Sequence, residues 1–171
     1  MRKLLFKSFV QGPLTEPAPA ADDAALAELA AQVERAARRR LGRSLSIREV
    51  DAGSCNGCEL EIHALNNVLY DLERFGLRFV ASPRHADVLL VTGPVTANMR
   101  VALERTYAAT PDPKWVVAIG DCARDGGVFA GSHACVGGVS KVLPVDLHIG
   151  GCPPSPIVLL KGLLALLDKV S

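Results

Sequence analysis

The segment "GSCNGCELEI", residues 53 to 62, places two thiols, Cys55 and Cys58, at the spacing used for redox chemistry and for metal binding. Three more cysteines follow: Cys122 in "VAIGDCARDGG", Cys135 in "HACVGG" and Cys152 in "LHIGGCPPSP". Cys55 and Cys58, Cys122, and Cys152 each sit among glycines, namely Gly53 and Gly57, Gly120, Gly126 and Gly127, and Gly150 and Gly151. Glycines let backbone approach a bulky inorganic group closely and donate N–H groups to its sulfurs. A dithiol switch would use only the C-x-x-C pair and would leave Cys122 and Cys152 without a role. A structural zinc site can take four cysteines, usually as two close pairs in a small domain without a core. A [4Fe–4S] cluster suits four thiolates on a rigid scaffold, and Cys followed by Pro is familiar from such sites. The cluster is the preferred reading, with zinc and dithiol as its rivals.

The elements around these residues alternate. "SLSIREV" reads as a strand, "ELEIHALNNVLYDLERFG" as one helix ended by Gly76, "LRFVAS" as a short strand and "ADVLLVTG" as a buried one. "TANMRVALERTYAA" reads as a helix, "KWVVAIG" and "VDLHIGG" as strands, and "SPIVLLKGLLALLDKV" as a helix with Ser155 as cap and Pro156 in its first turn. Strands separated by helices predict an α/β fold with a parallel sheet covered on both faces. The four glycine-framed cysteines then lie beyond the carboxyl ends of three strands, the edge where such sheets bind ligands. Upstream, "DDAALAELAAQVERAARRRLG" has acids first, arginines last and Gly42 as a stop, the order that suits a helix dipole. It is preceded by the Pro/Ala-rich "GPLTEPAPAA". The expected division is an extension over residues 1–43, with a tail and one amphipathic helix for a partner or membrane surface, and an α/β domain over 44–171.

The chain has 171 residues, 49% of them hydrophobic, with 19 basic and 18 acidic side chains. That is ample core for one domain, and no basic block with interleaved aromatics points to nucleic acid. A near-neutral, hydrophobic chain suits a subunit partly covered by partners. Lys7 interrupts the apolar start before a signal-length run develops, and "IVLLKGLLALL" is too short to span a bilayer. A cytoplasmic protein with reduced thiols is expected.

The motifs "GSCNGCELEIHAL", "SPRHADVLLVTGPVT", "IGDCARDGG" and "VGGVSKVLPVDLHIGGCPPSP" together resemble the small subunit of membrane-bound, formate hydrogenlyase-type [NiFe] hydrogenases. From about residue 46 to 167 the chain is also similar to the 20-kDa subunit of respiratory complex I, which has adjacent cysteines where this chain has Cys55-Asn-Gly-Cys58. The resemblance implies a flavodoxin-like, doubly wound domain with one [4Fe–4S] cluster on Cys55, Cys58, Cys122 and Cys152. It implies an oxidoreductase subunit with no complete active site of its own. The implied partners are a large subunit bearing the nickel–iron site, a ferredoxin-like polyferredoxin subunit and integral membrane subunits. The implied place is peripheral, on the cytoplasmic side of the inner membrane. Uptake-hydrogenase small subunits carry further cysteines and a twin-arginine leader, so a single relay station is expected here.

Around a cluster, cations such as Arg84 or Arg124 would favour the reduced form. Glu59 is either a proton-exchange group or, more simply, a first-turn acid favoured by the helix dipole. Cys135 reads as an incidental thiol. His63 and His85 read as structural, and His133 and His148 carry no assigned role.

Overall fold

A computed structural model describes residues 23–169; the tail "MRKLLFKSFV" and the Pro/Ala-rich stretch lie outside the described residues. Helix α1 (Asp23–Leu41) ends where Gly42, at φ 66°, donates its N–H to Arg38 O. Next come β1 (Leu45–Asp51), α2 (Gly57–Ala64), β2 (Leu77–Phe79) and β3 (Val88–Thr92). The chain continues through β4 (Val95–Thr96), α3 (Ala97–Ala109), β5 (Trp115–Ile119) and α4 (Asp121–Asp125). It closes with β6 (Cys135–Gly137), β7 (Leu147–Ile149) and α5 (Pro156–Lys169), the last beginning on the expected proline.

Five strands form one parallel sheet in the order β2-β1-β3-β5-β7. Counted along the sheet's own strands this is 2-1-3-4-5, the flavodoxin-like order, with the reversal between β1 and β3. The expected α/β class and winding hold. Both faces are covered, as the alternation along the strands shows. Val88, Leu90, Val117 and Ile119 join α1, α2 and α5 in one core layer. Leu89, Val91, Val116 and Ala118 join Leu103 and Ala123 in the other. Residues one apart point to opposite faces, so a strand buried on both must be apolar throughout. Helix α1 contributes Val33, Ala36 and Ala37 to the first layer and packs against α5.

Two departures from the sequence reading bear most on the fold. The long helix after Cys58 stops at Ala64, and a 3-10 turn at Leu72–Phe75 leads to Gly76. Asn67 explains the break: its Oδ1 accepts from the N–H groups of Leu69 and Tyr70, at 2.9 and 3.1 Å, offering the backbone a turn in place of the helix. Asp71 then adopts the left-handed conformation, which a helix interior excludes. The second departure is an antiparallel ribbon of β4 and β6, in which Thr96 pairs with Cys135. Two- and three-residue strands carry too little periodicity to be read in advance.

One ion pair, between an exposed Arg43 and a buried Asp87, fixes the start of β1. Asp87, 3% exposed, receives two hydrogen bonds from the Arg43 guanidinium, and its Oδ2 accepts from Ser46 N at 2.9 Å. Asp87→Ala leaves a buried strand N–H unpaired, and the expected loss is about 2–3 kcal/mol. Chemical denaturation measures it, with Asp87→Asn losing less because an amide oxygen still accepts from Ser46.

Candidate metal centre

The site forms from three loops at the carboxyl edge of the sheet. After β1, the Asp51 carboxylate accepts from Gly53 N and Ser54 N, both at 2.7 Å, and folds the chain back so that Cys55 lies in the loop and Cys58 in the first turn of α2. After β5, Cys122 lies in the five-residue α4. After β7, Cys152 lies in the loop leading to α5. Backbone contacts tie these loops together: Gly120 N donates to Ile149 O at 2.7 Å, and Asp121 N to Gly151 O at 3.0 Å. Gly151 N in turn donates to Asp121 Oδ1 at 3.2 Å.

Two of the glycines lay bare backbone against a cysteine sulfur. Gly120 has φ 86°, and a Cβ there would stand 2.7 Å from Cys58 Sγ and 3.4 Å from Gly151 O. Gly127 has φ 49°, and its Cβ would stand 2.8 Å from Cys122 Sγ. Each is a bare stretch of backbone against a cysteine sulfur, and each φ is one that side chains disfavour.

The thiols are close enough to feel one another's charge. Burial pushes the Cys58 thiol up to about 12, and negative charge on Glu59, Cys55, Cys122 and Cys152 adds to the rise. Burial raises Cys122 as well, with Cys152 next, while a backbone N–H from Val128 pulls it down. Cys58, so raised, stays protonated on its own at neutral pH, whereas iron or zinc deprotonates its thiolate ligands outright and releases the protons. Among the described residues no three His, Cys, Asp or Glu side chains are gathered tightly enough to hold a single metal ion. Cys55, Cys58, Cys122 and Cys152, beside the bare backbone of Gly120 and Gly127, are the residues that would hold an iron–sulfur group.

The other candidates fall as follows. Glu59 is buried beside Cys58, and neither of its carboxylate oxygens has a hydrogen-bond partner. Arg124 shares α4 with Cys122; its guanidinium meets Asp121 at 3.1 Å and Asp125 at 3.0 Å, and Nη1 lies 3.7 Å from where a Cβ on Gly150 would be. Arg84 is exposed in a 3-10 turn ahead of β3, and no described contact joins it to the cysteine loops. Cys135 is on the β4–β6 ribbon. His63 is exposed and stands 3.5 Å from Glu49 Oε2.

Sequence reasoning overlooked Glu49, although the signal was present. Leu45, Ile47 and Glu49 share one face of β1, and the first two are fully buried. An acid continuing an apolar face marks a buried carboxylate.

Comparison with known proteins gives a consistent result. Residues 55–166 match the family model for the NADH ubiquinone oxidoreductase, 20 Kd subunit. The chain is 42% identical over 156 residues to formate hydrogenlyase subunit 7 of Escherichia coli K12, covering 90% of this chain and 60% of that protein. Over 131 residues it is 47% identical to a probable membrane-bound hydrogenase subunit of Pyrococcus furiosus, covering 77% of this chain and 78% of the relative. Among solved structures, a chain of an archaeal membrane-bound sulfane sulfur reductase aligns with a TM-score of 0.67 at 35% identity, covering 81% of this chain and 75% of that one. A chain of an NAD+-reducing [NiFe]-hydrogenase aligns with a TM-score of 0.59 at 22% identity, covering 74% of this chain and 93% of that one, and so shares the fold. The chain belongs to the family of the 20-kDa NADH ubiquinone oxidoreductase subunit.

Proposed function

We propose that this chain is the electron-transfer small subunit of a membrane-bound [NiFe] hydrogenase complex that evolves hydrogen. Cys55, Cys58, Cys122 and Cys152 hold one proximal [4Fe–4S] cluster. Electrons pass through it between a ferredoxin-like subunit and the nickel–iron site of the large subunit. The observation that carries this reading is the meeting of four thiols from three loops on a glycine-lined edge. Exposed apolar side chains flank the same segments: Leu60 after Cys58, Val128 and Phe129 after Cys122, and Ile157 and Val158 after Cys152. A face of that kind is one a partner covers, and the large subunit is the partner proposed. No described helix is long and apolar enough to cross a membrane. Attachment to the cytoplasmic side of the inner membrane then runs through partner subunits.

The test is to purify the complex and titrate it by electron paramagnetic resonance, with iron counted per small subunit. A dithionite-reducible signal that vanishes with the four cysteines supports the reading. Zinc without iron overturns it in favour of a zinc-stapled interaction module. The likeness to a sulfane sulfur reductase chain supports a second reading, in which the same relay serves a large subunit lacking nickel and another acceptor, quinone included. Cysteine pairs near both ends of the large subunit's sequence separate the two, since they mean nickel.

The surroundings of the cluster set its potential. Arg124→Gln leaves Asp121 and Asp125 without their shared cation. The expected midpoint falls by on the order of 30–100 mV, the effect of one unit charge several Å away at an intermediate dielectric. Arg84→Gln, in its exposed turn, is the comparison and is expected to shift less. An unchanged midpoint in Arg124→Gln would remove that residue from the cluster's surroundings.

A further inference from the structure

The loop that carries Cys152 has little of its own to hold it in place. Residues 150–154, "GGCPP", offer no polar side chain besides the thiol, and Pro153 and Pro154 have no N–H to donate. Outside the strand ladders, both hydrogen bonds described for this stretch run to one residue, Asp121. Asp121 N donates to Gly151 O at 3.0 Å, and Gly151 N donates to Asp121 Oδ1 at 3.2 Å. The chain neighbours of Cys122 and Cys152 are thus joined in both directions. Arg124 Nη1 meets the same Oδ1 at 3.1 Å and fixes the carboxylate from the other side. The pair lies across Gly150, whose Cβ would stand 3.6 Å from Asp121 Oδ1 and 3.7 Å from Arg124 Nη1.

The loop of Cys55 and Cys58 is built otherwise. Asp51 accepts from Gly53 N and Ser54 N, and Ser54 Oγ accepts from Asn56 N at 3.1 Å, so this turn is held by the end of its own strand. No described hydrogen bond joins it to the other two loops. The influence among the thiols follows the same division, since Cys152 acts on Cys122 more strongly than Cys55 does. Ligands held by a rigid outer partner keep their geometry whether or not the metal group is bound.

We propose that Asp121 is a positioning residue for the cluster: its carboxylate staples the Cys152 loop to the Cys122 helix and so fixes the spacing of these two sulfurs. The proposal rests on the electron-transfer reading. Asp121 acts through Gly151 and not by binding iron. Half of the ligand set is then joined by the protein itself, and the end of β1 brings the other half to it.

Two substitutions separate the staple from the charge. Asp121→Asn keeps an oxygen that accepts from Gly151 N and Arg124, and Asp121→Ala keeps none. Both leave the backbone N–H of residue 121 on Gly151 O. Both also remove one negative charge beside Cys122, so a raised midpoint is common to the two. The test purifies the intact complex with each variant, records electron paramagnetic resonance, and follows iron release to a ferrous chelator under dithionite. Asp121→Ala is expected to release iron at least about tenfold faster than wild type, the scale found for groups that orient metal ligands, and to give a shifted or broadened resonance. Asp121→Asn is expected to keep the wild-type resonance and release rate. If Asp121→Ala does not assemble, Asp121→Ser, with a side chain too short to reach Gly151 N, carries the same expectation. A wild-type resonance and release rate in the shortened variant overturns the proposal. So does an Asp121→Asn complex that releases iron as fast as that variant, because charge would then be the whole effect. Absence of any cluster signal in the wild type instead overturns the electron-transfer reading, and this proposal with it.

Discussion

Cys58→Ser is expected to abolish the cluster: iron falls to background, the visible absorbance bleached by dithionite disappears, and electron flow through the complex stops. Cys58 has the most strongly perturbed thiol of the set. Burial raises it to about 12, and each of the other three cysteines adds to the rise. Glu59 and the three other thiols all act on this sulfur. Serine there offers an alkoxide that is harder still to form and a poorer match to iron than thiolate. Outer partners of metal ligands typically cost 10–100-fold when changed, so a missing ligand is expected to cost at least about 100-fold in electron transfer. Cys135→Ser is the control, since Cys135 sits on the β4–β6 ribbon and is absent from the charges felt by Cys58 and Cys122. It is expected to retain iron and activity. A Cys58→Ser subunit with a full complement of iron and an unaltered spectrum would falsify the ligand assignment.

The legibility of this site in the sequence has a physical basis. The strands β3 and β5 are buried in every residue, and apolar in all but Thr92, because both faces are covered, and that pattern survives any detail of packing. Parallel strands share one carboxyl edge, so Cys122 after β5 and Cys152 after β7 lie beyond the same edge as the C-x-x-C pair after β1. What escaped was decided by competition among local hydrogen bonds. Asn67 offers its own side chain to Leu69 and Tyr70, and the helix gives way although its apolar spacing continues. Helix α4 is five residues long and is held by Gly120 and Gly126 at its ends, too short for periodicity to register. Arg84 and Arg124 are equally cationic in the sequence, yet only Arg124 shares an element with a cysteine of the set. Position along a chain does not reveal which loop folds over an edge. Glu49 was legible by its place on the buried face of β1, but a motif search centred on cysteine passes over it.

Gly120→Ala is expected to damage the centre nearly as severely as loss of a ligand, although it removes no donor. Two costs coincide at this position. A side chain at φ 86° is strained by about 1–3 kcal/mol, and the new Cβ would lie 2.7 Å from Cys58 Sγ, a separation that real structures do not tolerate. The Gly151 carbonyl, at 3.4 Å, closes the other side. The methyl group cannot rotate away, and backbone contacts to Ile149 and Gly151 hold the loop, so the sulfur must move. Gly131→Ala separates the two costs, because Gly131 has a similar φ of 82° with nothing within 4 Å of its would-be Cβ. That variant is expected to lose stability through strain alone, with its iron content and resonance spectrum intact. Gly120→Ala is expected to lose most of its iron, or to retain it with an altered spectrum and a displaced midpoint. Equal behaviour of the two variants would show that backbone strain is all that Gly120 relieves, and that bare backbone beneath Cys58 is not what seats the cluster.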